Sequence, residues 1–212
     1  MMQLVKYICY LILLFLLSCN GSGKKSKAPT TAENTYTYSI DTFGIMVTWT
    51  AYKLTEKIGV SGTFDRIKFS AKKNSTSIED VLKSSEIAIS TGSVNSANAI
   101  RDPKLRVTFF KTFNTDTIAG TILEAKAKKG ILALKMNRVN NLVDYTYSYK
   151  KDTIFISTHL DLKKWNGKNA LEALNKECYD LHKGPDGVSK LWPDVAVKIK
   201  LPVIRVTSLT QQ

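Results

Sequence analysis

The sequence predicts an all-β domain, an antiparallel barrel or sandwich of about eight strands carrying one or two short helices. Three observations lead there. Alternation of apolar and polar residues recurs along most of the chain after residue 35, the period-2 signature of half-buried strands. Only two stretches, 77–85 and 166–182, show helical spacing. No internal repeat and no second linker divides residues 36–212, a length that suits one domain with a sizeable core.

The 212-residue chain opens with "MMQLVKYICYLILLFLLSC", one cation at Lys6 and then an apolar run from Tyr7 to Leu17. That run is shorter than the roughly 20 apolar residues a membrane-spanning helix needs, so residues 1–18 read as a signal peptide. The sequence Leu16-Leu17-Ser18-Cys19 resembles a bacterial lipobox. The resemblance implies that Cys19 carries a lipid anchor and holds the protein at a membrane. With Asn20 rather than aspartate after the cysteine, it also implies an outer-membrane lipoprotein of the bacterial envelope that faces the periplasm. Residues 19–35 are rich in Gly, Ser, Thr, Lys and Ala with almost no large apolar residue. Such a segment cannot bury enough surface to fold and reads as a flexible tether.

Strand signals follow in order. "TYTYSID" alternates, and in "IMVTWTAYKL" Val47, Trp49 and Ala51 share a face. "IGVSGTFDRIKFS" (58–70) keeps Ile58, Val60, Gly62 and Phe64 in one parity and then switches to Ile67 and Phe69. A switch of one residue marks a bulge, the device that curves a barrel wall. Further strands are expected at 86–91, 117–128, 131–139, 143–150, 152–162 and 195–206. Within the last, Pro202 cannot donate to a ladder and so belongs near an edge, a bulge or a strand end.

Of the helical stretches, "SIEDVLKSS" has a cap at Ser77 and acids in its first turn. "NGKNALEALNKECYDLH" aligns Leu171, Leu174, Cys178 and Leu181 as one apolar stripe.

The formal charge is +13, from 26 Lys and 5 Arg against 18 acids. Nucleic-acid readers rely on arginine for bidentate contacts, and these lysines are scattered in pairs such as Lys72-Lys73 and Lys163-Lys164. No nucleic-acid partner is expected; solubility and attraction to anionic head groups account for the charge. Cys9 leaves with the signal peptide and Cys19 takes the lipid, so Cys178 is the one remaining thiol and no internal disulfide can form.

The segments "GTFDRIKF", "SEIAISTGSVNS" and "RDPKLRVTFF", in that order and spacing, resemble the YceI-like family. The resemblance extends over roughly Tyr38 to Val206, is specific between Gly62 and Phe110, and suggests a lipoprotein subgroup by the helix and "GPDGVSKLWPDV" near the C-terminus. It implies a lipocalin-like antiparallel β-barrel whose elongated cavity, in some members, holds a polyisoprenoid chain or an isoprenoid quinone. The expected partner is then an apolar lipid or isoprenoid ligand.

Candidate ligand-binding residues are Trp49, Phe64, Phe69, Phe109 and Phe110, with Leu132, Leu134 and Met136 on one strand face. Each also reads as ordinary core. Trp192, before Pro193, is a gate for a cavity mouth or an aromatic plug at a strand start.

Cys178 and His182 lie four apart on a helix, but two ligands are too few for a closed zinc site. A thiol on an apolar stripe is deactivated by burial. The sequence therefore implies no catalytic residue, no metal and no cofactor, and the protein is expected not to be an enzyme. An envelope interaction protein with a filled barrel is the alternative, ahead of a Cys/His enzyme or metal-binding protein. In "IRDPKLRVTFF" (100–110) Pro103 biases Asp102 away from the helical region, which predicts a structural corner that delivers Phe109 and Phe110 to the core.

Overall fold

The computed structural model describes residues 34–209. The signal peptide, Cys19 and all of the tether but its last two residues lie outside the described residues. Asn34 and Thr35 open the first strand, β1 (Asn34–Ile40). Ten more strands follow: β2 (Met46–Lys53), β3 (Ile58–Phe64), β4 (Ile67–Ser70), β5 (Glu86–Ser90), β6 (Val94–Asn95), β7 (Thr117–Lys126), β8 (Lys129–Met136), β9 (Val139–Lys150), β10 (Thr153–Asp161) and β11 (Leu191–Leu209).

Every pairing is antiparallel, and the spatial order is β4-β5-β7-β8-β9-β10-β11-β2-β3-β6. One edge of this curled sheet, β4, is joined through the chain itself to β3, which carries the two-residue β6 at the other edge, because β3 and β4 are halves of one strand interrupted at Asp65-Arg66. Asp65 N donates to Ser93 O at 3.0 Å and Ser90 N to Arg66 O at 3.1 Å across the break. Counting β3 and β4 as one, the circuit is β2, β3/β4, β5, β7, β8, β9, β10 and β11. It is the lipocalin-like antiparallel barrel of about eight strands that the sequence predicted. The interruption is also the physical cause of the parity switch: Phe64 is buried before it, while Ile67 and Phe69 turn inward after it.

Alternation then sorts side chains between wall and solvent. On β10, Ile154, Ile156, Thr158 and Leu160 are buried while Phe155, Ser157 and His159 are exposed. On β9, Val143, Tyr145 and Tyr147 are buried between exposed Asp144 and Thr146. Burying one such large apolar side chain contributes about 1.5–3 kcal/mol. Gly62 is required by close approach rather than by a bend: a Cβ there would collide with the Trp49 ring and lie 2.7 Å from Asn95 O. Pro202 sits where β11 changes partners, paired with Thr153 at the start of β10 just before Val203 takes up Ile40 of β1.

Among the described residues three helices, besides four short 3-10 turns, accompany the barrel. In α1 (Ile78–Leu82) the Ser77 side chain accepts from Asp80 N at 3.0 Å, and Val81 and Leu82 enter the core. In α3 (Lys168–Glu177) Leu171 and Leu174 pack on the core, but the helix stops at Glu177. Cys178 is buried, whereas Leu181, beyond the break, is 61% exposed and leaves the expected stripe.

The corner expected at residues 100–110 is instead a helix, α2: Arg101–Lys104, continuous with a π-helical stretch Leu105–Phe110. Asp102 N already reaches Asn98 O at 3.1 Å, so Pro103 leaves out a single bond of the ladder close to the helix start. Asn98 supplies the start, its Oδ1 accepting from Ile100 N at 3.1 Å and Arg101 N at 2.8 Å. The widened turn, seen in the bond from Lys111 N to Arg106 O, lets the consecutive Phe109 and Phe110 both face inward.

Candidate ligand cavity

The barrel interior is not filled. A cavity bordered by β2, β3, β5, β6, β7, β8, β10, β11, α2 and α3 leaves about 150 Å³ for the centres of water-sized molecules. Of the candidate residues, Trp49, Phe64, Phe109, Phe110, Leu132, Leu134 and Met136 line it. Phe69 does not; it borders a smaller void of about 30 Å³ that shares Ile87, Leu132, Ile156 and Ile199 with the main cavity.

Residues of the wall that sequence reasoning left out include Ile89, Val94, Leu105, Ile156, Leu160 and Ile199. The inward parity of Ile89, Ile156, Leu160 and Ile199 was readable on expected strands, that of Val94 and Leu105 was not, and nothing in the sequence told a lining residue from a packed one. Trp192 also lines the cavity.

Thr158 is the one polar residue type in the lining, and its hydroxyl donates to Asp144 O at 2.7 Å. The two indole N–H groups are engaged too, Trp49 Nε1 with Thr63 O at 3.2 Å and Trp192 Nε1 with Leu54 O at 2.7 Å. The cavity wall thus offers a ligand apolar surface. A hydrocarbon chain gains about 0.8 kcal/mol per buried methylene there, while a polar group would lose its water without a partner.

Next to the cavity lies a second pocket, here called the mouth, that shares Trp49, Ala51, Leu105, Leu174 and Leu191 with it. Here the chemistry changes. Lys53, Arg101, Lys104, Cys178 and His182 join the lining. Burial pushes the Cys178 thiol up, with Lys104, Glu177 and Lys53 as lesser influences. Burial first, then Lys53 and Lys104, push His182 down to about 4, and its Nδ1 lies 3.1 Å from Asn175 Oδ1. His159, on the exposed face of β10, belongs to neither cavity nor mouth. Among the described residues no group of three or more His, Cys, Asp or Glu side chains is placed to hold a metal ion.

This architecture has solved counterparts. A polyisoprenoid-binding domain from Saccharophagus degradans, implicated in plant cell wall breakdown, superimposes with a TM-score of 0.56 at 13% identity, covering 84% of this chain and 100% of that one. The chain shares the fold of that domain. Burkholderia cenocepacia BcnA matches with a TM-score of 0.53 at 12% identity, over 78% of this chain and 99% of that one. A Campylobacter jejuni YCEI protein matches at 20% identity and a TM-score of 0.45, covering 76% of this chain and 90% of that one. The shared fold is the one the YceI-like resemblance implied. No protein-family model and no curated protein matches the sequence.

Proposed function

We propose that this protein is a YceI-like binding protein that sequesters or carries a long apolar, isoprenoid-like chain in its barrel cavity. The observation that carries the reading is a cavity lined almost wholly by hydrocarbon, with its indole and hydroxyl donors already engaged. The Saccharophagus domain of the same fold is described as polyisoprenoid-binding, which supports the ligand class. Attachment of a lipid at Cys19 and a place on the periplasmic face of the outer membrane belong to the same proposal, motivated by the lipobox-like Leu16-Leu17-Ser18-Cys19.

The role is binding rather than catalysis. Burial disfavours the Cys178 thiolate, the form a nucleophile needs. The alternative of a filled barrel acting only through its surface is disfavoured by the void itself.

Organic extraction and native mass spectrometry of protein made in bacteria test the proposal. A co-purified long-chain isoprenoid or similar lipid is the expected result. Repeatedly empty preparations that also fail to take up added prenyl lipids would overturn it.

A further inference from the structure

We infer that the mouth selects a long-chain ligand whose end carries an anionic group, a carboxylate or a phosphate, over the same chain with an uncharged end. This rests on the reading that the cavity holds the apolar chain. The charged residues lining the mouth are Lys53 from β2 and Arg101 and Lys104 from α2, and no carboxylate lines it. Lys53 Nζ uses one of its three donors on Leu181 O at 2.7 Å. Arg101 is held by Ser96, Nε to Oγ at 2.8 Å and Nη2 to O at 3.2 Å, which fixes the guanidinium plane. Lys104 meets Glu177 at 3.2 Å, an acid outside the mouth lining and half exposed.

The cations are therefore oriented by the fold but retain donors for an incoming acceptor. Both lysines, after burial, also lower the His182 pKa, which fits their closeness to one another at the mouth. A hydrocarbon threaded past Trp49, Leu105, Leu174 and Leu191 leaves the cavity among Lys53, Arg101 and Lys104. Hydrogen bonds to an ionised acceptor are roughly twice as strong as neutral ones, and a concave, low-dielectric rim focuses the field.

The test uses delipidated protein, calorimetric titration at low ionic strength, and two matched pairs: oleate with oleyl alcohol, and geranylgeranyl phosphate with geranylgeraniol. The anionic member of at least one pair should bind about tenfold tighter or more, and which pair shows the larger ratio separates a fatty carboxylate from a prenyl phosphate. In a Lys53→Met/Lys104→Met variant, which keeps only Arg101, that ratio should fall severalfold. Glu177→Gln, by releasing Lys104, should raise anion affinity severalfold. Equal affinities within both pairs for the unaltered protein overturn head-group selection and leave the apolar cavity standing. Failure of all four compounds to bind overturns the cavity reading and the selection with it. Uptake of the alcohols by the double variant reports that it is folded.

Discussion

His182 is buried at 9% exposure beside two lysines, and both influences keep its imidazole neutral in the folded protein, with its pKa held down to about 4. In the unfolded chain it titrates near its ordinary value of about 6.5. Between those values the unfolded state binds a proton that the folded state refuses, so stability rises with pH there and falls as the solution is acidified. The contribution is fully present above about pH 6.5 and is lost as the pH falls through about 4, on the order of 3 kcal/mol in all. Denaturant melts of His182→Gln should show a shallower loss of stability between pH 6.5 and 4 than the unaltered protein. Parallel curves would mean that the burial and the lysines do not govern this residue. The sequence placed His182 on a helix face near Cys178; it could not show that Lys53, more than a hundred positions earlier, stands next to it.

At the scale of the element, strands were legible and α2 was not, for one physical reason. A strand such as β10 announces itself by local alternation, Ile154, Ile156, Thr158 and Leu160 against Phe155, Ser157 and His159, and the parity switch before Ile67 named the break between β3 and β4. In α2 the same local evidence misled, since Pro103 and the β-prone Val107-Thr108-Phe109-Phe110 outweighed two quieter signals. One was the four-residue spacing of Leu105, Phe109 and Phe113, all of which line the cavity. The other was Asn98, whose side chain receives two of the orphan N–H groups at the helix start. Asn98→Ala removes that acceptor and should cost about 1 kcal/mol of stability, with most of the loss local. Hydrogen exchange should accelerate across residues 100–112 and leave β8 to β10 protected; uniform acceleration would place the cap's role elsewhere. Because α2 supplies Leu105, Phe109 and Phe110 to the cavity and Arg101 and Lys104 to its mouth, the same substitution should weaken ligand retention.

For the whole molecule, the decisive property is one that strand patterns do not encode. An inward Leu134 reads the same whether it touches another side chain or a bound ligand, so the sequence defined the wall but not the space behind it. The two buried clusters that flank that space illustrate the point. One holds Val47, Phe64, Ile89 and Val94, and the other runs from Val81 and Leu82 through β8, β9 and β10 to Trp165, whose Nε1 is tied to Leu134 O at 3.0 Å. Side chains facing a void lack the contacts that a close-packed core would give them. A ligand that restores those contacts in the folded state alone must stabilise it by mass action, about 2.7 kcal/mol at a hundred times its dissociation constant. For a domain of 150–250 residues, each kcal/mol shifts the melting temperature by about 2–4 °C. Delipidated protein should therefore melt about 5–10 °C higher when an excess of a long-chain prenyl lipid is restored in calorimetry, and the gain should grow with chain length until the cavity is filled. Short-chain analogues such as a C5 alcohol should leave the melting temperature within about a degree. A length-independent response would locate the binding on the surface, where a chain gains no more from each added methylene once it leaves the protein.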